Sequence, residues 1–182
     1  AKVQSALLEA MQERQVTIGD STFQLKKPFL VMATQNPVEQ EGTYPLPEAQ
    51  LYRFIFNILL KYPSYEEELE IVKKTTLANS VKLNPILTGE EIIKFQNVLS
   101  QLPVTNNVLE YAVTLVAKTR PDSEKSVKLI KDYVEWGAGP RASQYMIIAA
   151  KCHAAKNGKY APDIEDVKAV ALPILRPVSY TH

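Results

Sequence analysis

Beyond Pro63 every element signal in this chain is that of a helix, whereas before it the apolar residues run together or alternate as in strands. That division constrains the fold more than any other feature: a sheet-forming first third joined to a helical remainder. Ser64-x-x-Glu67 and Thr88-x-x-Glu91 are two capping boxes, in which a hydroxyl and a carboxylate satisfy each other's backbone N–H groups at a helix start. Thr105 or Asn106 caps a third helix, with Leu109, Ala112, Val113 and Val116 predicted to face inward. Pro140 suits the first turn of a further helix, expected to run to about Lys156 and to end at Gly158. Asp163 caps a last one, with Val167, Val170 and Ala171 on its buried stripe. Glu70 and Lys74 form an i,i+4 pair worth a few tenths of a kcal/mol, a mark of a solvated face.

The first third reads differently. Val3, Leu7, Leu8 and Met11 recur at helical spacing directly from Ala1, with neither cap nor lead-in, and this predicts a fragment of a longer protein. Val16–Ile18 and Thr22–Leu25 alternate around Gly19-Asp20-Ser21 as a short hairpin with one wet face. Phe29–Ala33 is a continuous apolar run, the pattern of a strand buried on both faces, and such a strand needs neighbours. Residues 34 to 47 hold three prolines and Gly42, a stiff loop leaving the C-terminal end of that strand, where function tends to sit. A turn of helix at Glu48–Leu51 precedes a second strand candidate, Phe54–Ile58. The expected division is 1–62 and 63–182.

Composition removes several function classes. The 182 residues carry 21 Lys+Arg and 20 Asp+Glu, interspersed, and this balance speaks against a dedicated nucleic-acid binder. One cysteine, Cys152, excludes an internal disulfide, and two histidines, His153 and His182, make no cluster of soft or imidazole metal ligands. Cytoplasm is the default compartment. Apolar runs reach about half a dozen residues, and the N-terminus shows no charged-then-apolar leader, so neither a membrane span nor a signal peptide is expected. The six glycines are scattered, and neither G-x-x-x-x-G-K-[ST] nor G-x-G-x-x-G occurs, so this chain has no glycine-rich phosphate cradle of its own.

Catalytic constellations are thin. A Cys–His or Ser–His–Asp arrangement would have to use His153, whose surroundings read as the core and rim of a helix. The carboxylates Glu39 and Glu41, or Glu66 to Glu68, read first as solvated faces. Three local patterns carry more. Ala33-Thr-Gln-Asn-Pro37 holds polar side chains at the end of the apolar run, for function or as an Asx turn. Glu48–Phe54 sets Arg53 beside a Pro-fixed loop, for function or as an ordinary surface arginine. Gly137-Ala-Gly-Pro-Arg-Ala-Ser143 puts Arg141 in the first turn of a helix, where a cation opposes the helix dipole; that placement points to anion recognition, phosphate included.

At these residues the sequence resembles a family. Ala1–Gly19, Ala33–Leu51, Gly139–Ser143 and Asp166–Ala171 are, in order, similar to segments of the MoxR family of AAA+ ATPases. The resemblance implies the back of a P-loop AAA+ α/β core, a few strands plus a hairpin, followed by an all-α lid bundle, mainly helical overall. In the family the Walker B acids would stand just before Ala1 and the P-loop further upstream. It also implies ATP and Mg²⁺ as cofactors of the intact protein, though none held tightly by this chain alone. Asn36 matches the sensor 1 residue that positions the attacking water. Arg53 matches an arginine finger offered in trans to the neighbouring subunit, and Arg141 matches sensor 2, reaching the γ-phosphate of its own subunit. The hairpin matches the insertion before sensor 1. A homo-oligomeric ring, hexameric by family, chaperone-like action and partners with von Willebrand factor A domains follow from the resemblance too. The alternative class is a non-catalytic protein-interaction module derived from such a domain. There are two departures: Tyr52 stands where the family usually has an Asp before the finger, and the tail after Arg176 lacks the usual second basic residue.

Overall fold

A computed structural model of the protein describes residues 7, 9–11, 13–34, 51–76, 83–176 and 180–181. It is mainly helical, and most predicted helices stand where their start signals put them. Helix α1 is Tyr65–Thr75 and α2 is Gly89–Gln101. Both capping boxes are formed: the Ser64 and Thr88 N–H groups donate to Glu67 and Glu91 at 2.8 and 2.7 Å, and those residues' N–H groups donate back to the two hydroxyls. Helix α3 is Asn106–Ala117, α4 Lys128–Tyr133, α5 Pro140–Lys156 and α6 Ile164–Leu175. The six-residue α4 is absent from the sequence reading.

The core lies where α3, α5 and α6 meet. Val108, Ala112 and Val116 of α3 pack with Ala142, Met146, Ala149 and Ala150 of α5 and with Val167, Val170 and Ile174 of α6. The α3 seam is therefore the 108/112/116 row. Leu109 and Val113, expected inward, are exposed by 38% and 56%, because α3 is apolar on nearly every face and its neighbours select the row. Ala171 is only half-buried, against the same core. No side chain of α1 or α2 is buried, although α2 touches α5 where Lys151 Nζ donates to the Ser100 carbonyl at 2.9 Å.

In the first third the hairpin is present. Strands β1, Gln15–Ile18, and β2, Ser21–Gln24, pair antiparallel with Ile18 opposite Ser21, and only Gly19 of the two turn residues has positive φ, at 60°. That is the type II′ pattern, which needs glycine first. The expected strand Phe29–Ala33 is not one. Among the described residues nothing pairs with it, and Leu30 and Met32 stand 79% and 86% exposed. An apolar run without hydrogen-bonding neighbours has nothing to fix it as a strand. Phe54–Ile58 is likewise not a strand; its Asn57 N–H bonds the Pro173 carbonyl of α6 at 2.8 Å instead of a ladder partner. The expected loop beyond Thr34 and the turn of helix lie outside the described residues, except that Leu51 is helical.

The reading that strands end near residue 63 is also corrected. Strand β3, Val134–Trp136, pairs antiparallel with β4, Tyr180–Thr181, across an irregularity. Segments this short show no periodicity to read.

Candidate functional site

Arg141 is held by what happens before its helix. Thr119, just past α3, accepts the Ala138 N–H on its hydroxyl at 2.9 Å, and Arg120 Nε donates to the Ala138 carbonyl at 2.8 Å. Gly137 lies so close to this corner that a Cβ there would collide with the Arg120 Cα and the Thr119 carbonyl. Ala138 is fully buried, Gly139 is an extended N-cap, and Pro140 presets the first turn. No side chain caps α5; Pro140 has no N–H to satisfy, and the Ala142 N–H turns back to the Gly139 carbonyl at 3.0 Å. Arg141 is exposed and, among the described residues, its guanidinium makes no hydrogen bond or ion pair.

The structure brings one further sequence motif to this place. A hollow of about 350 Å³ is lined by Tyr52, Gly139, Pro140 and Arg141. Tyr52 is half-buried against the helical core. Arg53 does not line the hollow; it sits in the turn closed by the Phe54 N–H on the Leu51 carbonyl, half-buried with its Nε covered. Asn36, the third expected residue, lies outside the described residues.

A second hollow of about 430 Å³ opens between Arg120–Ser123 and Glu135–Gly137. It suits an anion less well, since the Arg120 Nε is spent on Ala138 and Asp122 and Glu135 face the same space. Sequence reasoning passed over this hollow, whose walls are two short loops without a motif.

The weaker sequence candidates resolve into structural roles. His153 Nδ1 sits 2.7 Å from Asp166 Oδ1, and Asp166 is fully buried. Cys152 follows one residue before His153 on the same helix, so the two do not face each other, and partial burial pushes its thiol up. Burial alone would raise the Asp166 carboxyl, but hydrogen bonds from the Asp163 N–H, His153 and Lys159 outweigh it and hold it at about 2. Lys159, hydrogen-bonded by Asp163 and Asp166, is raised. Glu66 to Glu68 form the acidic first turn of α1, where Glu67 closes the cap. Glu39 and Glu41 lie outside the described residues. Among the described residues no group of three or more His, Cys, Asp or Glu side chains could hold a metal ion, and no helix is long and apolar enough to cross a membrane.

Comparison with known proteins bears on the same two segments. Residues 1–56 match the ATPase family associated with various cellular activities (AAA), and residues 127–177 match the AAA lid domain. Chaperone MoxR1 of Mycobacterium tuberculosis is 44% identical over 176 residues, 97% of this chain and 46% of its own length. Protein YeaC of Bacillus subtilis is 44% identical over 154 residues, 84% of this chain and 45% of its own. A crystal structure from Cytophaga hutchinsonii, assigned as an ATPase, superposes with a TM-score of 0.91 at 42% identity, covering 100% of this chain and 56% of that one. The chain thus spans about half the length of the curated relatives it matches.

Proposed function

The chain belongs to the MoxR-type AAA+ ATPases, and from that premise we propose that it is the C-terminal part of a protein that hydrolyses ATP in a ring. Residues 1–62 close the α/β nucleotide domain and 63–182 form its lid. The ring is a homo-oligomer, hexameric by family, and works in the cytoplasm as a chaperone-like machine on partner proteins, von Willebrand factor A domain proteins among them.

The observation that carries this reading is Arg141: an exposed guanidinium without a partner among the described residues, set against the dipole of α5 on the wall of an open hollow. An arginine so placed is available to a phosphate, which it grips by charge and by paired N–H donors. Arg141 then reads the γ-phosphate of its own subunit. Arg53, from a turn at the other motif, is offered to the neighbouring subunit's nucleotide, and Asn36 orients the attacking water. Mg²⁺ would neutralise phosphate charge; its ligands are proposed outside this chain.

The division of labour is tested in the full-length protein. Arg53→Ala abolishes turnover, by a factor on the order of 10³ or more, while ATP binding is kept, since a finger acts on the transition state of another subunit. Arg141→Ala weakens ATP binding as well as turnover. Loss of ATP binding in Arg53→Ala would place that residue in its own subunit's site and overturn the assignment.

A further inference from the structure

Arg53 and Arg141 belong to separate motifs, yet the residue before Arg53 is built into the helical unit that carries Arg141. The Tyr52 ring packs against the α3–α5–α6 core and forms one wall of the Gly139–Arg141 hollow. Five residues on, a second attachment follows: the Asn57 N–H donates to the Pro173 carbonyl at 2.8 Å, and Arg176 Nη1 donates to the Asn57 carbonyl at 3.5 Å. Between the two, the Phe54 N–H closes a turn on the Leu51 carbonyl at 3.1 Å, with Arg53 inside it. A chain reaches at most about 3.5 Å per residue, and a turn shortens it further, so a span this short pinned at both ends has little slack. Arg53 stands one peptide from the first pin.

The residue type at 52 fits this duty. A phenol ring covers apolar surface with its body while its hydroxyl stays at the wet rim. A carboxylate at the same place would be too short and too polar to cover the alanine- and valine-rich surface, and its charge would be drawn to the hollow that Arg141 lines. The contact made here is thus one that an apolar body supplies and an acid does not.

We propose that Tyr52 is a positioning residue that makes Arg53 move with the lid of its own subunit. Seating of Arg141 on a phosphate then sets where Arg53 is held for the next subunit, a coupling between two nucleotide sites through one short segment. The inference rests on the roles proposed above for Arg53 and Arg141.

Steady-state ATP turnover of the full-length protein tests it, with Tyr52→Ala, Tyr52→Phe, Arg53→Ala and the Tyr52→Ala/Arg53→Ala double variant. Tyr52→Ala lowers kcat about tenfold with KM for ATP unchanged, and Tyr52→Phe restores it. The double variant is no slower than Arg53→Ala alone, because Tyr52 acts only through Arg53. Should Tyr52→Ala fail to fold, Tyr52→Val shortens the apolar body and loosens the contact without removing it, and is expected to lower kcat in the same direction with KM for ATP unchanged. If Arg53→Ala leaves turnover intact, the finger assignment falls and takes this inference with it. If Arg53→Ala is inactive but Tyr52→Ala turns over normally, raises KM alone, or is matched in its loss by Tyr52→Phe, the inference is overturned while the finger assignment stands.

Discussion

Asp166 is the one fully buried charged side chain among the described residues. It is the third residue of α6, exchanges hydrogen bonds with Asp163 as a capping box, and accepts from His153 and Lys159 while fully buried. A buried carboxylate is costly unless every lone pair is met, and here the donors meet them. Asp166→Asn keeps the shape but removes the charge, and is expected to lower stability at neutral pH by about 2 kcal/mol, read by urea unfolding. Because the folded carboxyl titrates near 2, below its unfolded value of about 4, its contribution is present above that unfolded value and fades as pH falls from there through 2. The gap between the variant and the parent should close over that range; a gap unchanged at pH 2 would mean the charge is not what stabilises. None of this was legible in the sequence beyond the cap. Asp163 announced itself as a helix start, whereas the burial of Asp166 depends on His153 from another helix.

Elements were legible in proportion to how local their causes are. The capping boxes of α1 and α2, Pro140 at the start of α5 and Gly158 after its end, with φ of 73°, fix those helices from within a few residues. On α3, Ala112 and Val116 are buried as expected while Leu109 and Val113 are not, because which apolar row is buried is decided by α5 and α6. Phe29–Ala33 was misread for the same reason: a strand exists only with a partner, and none stands beside it among the described residues. The corner that aims α5 was not legible at all, since it is a contact between Gly137 and Thr119–Arg120, some eighteen residues apart. Gly137→Ala should force that corner open and cost about 2 kcal/mol or more. A melting temperature within a degree or two of the parent would show that the corner yields without loss.

At the scale of the whole molecule, the described residues leave large apolar side chains open: Leu30, Met32, Ile58 and Leu60 are each at least 72% exposed. The sequence holds no glycine-rich phosphate cradle, so titration calorimetry of this chain alone with ATP and Mg²⁺ should register no micromolar binding; such binding would overturn the proposal that the cradle is supplied from elsewhere. One feature of the core bears on how the molecule comes together in time. Its helices follow one another along the chain, α3 meeting α5 across the stretch that holds α4 and β3, and α5 meeting α6 across a short connection, whereas the Asn57 N–H must reach past α3 and α5 to the Pro173 carbonyl near the end of α6. Closing a longer loop costs more entropy, so the three-helix core has the shorter search and Tyr52 docks on a surface already formed. During synthesis from the N-terminus the segment bearing Arg53 emerges first and settles last.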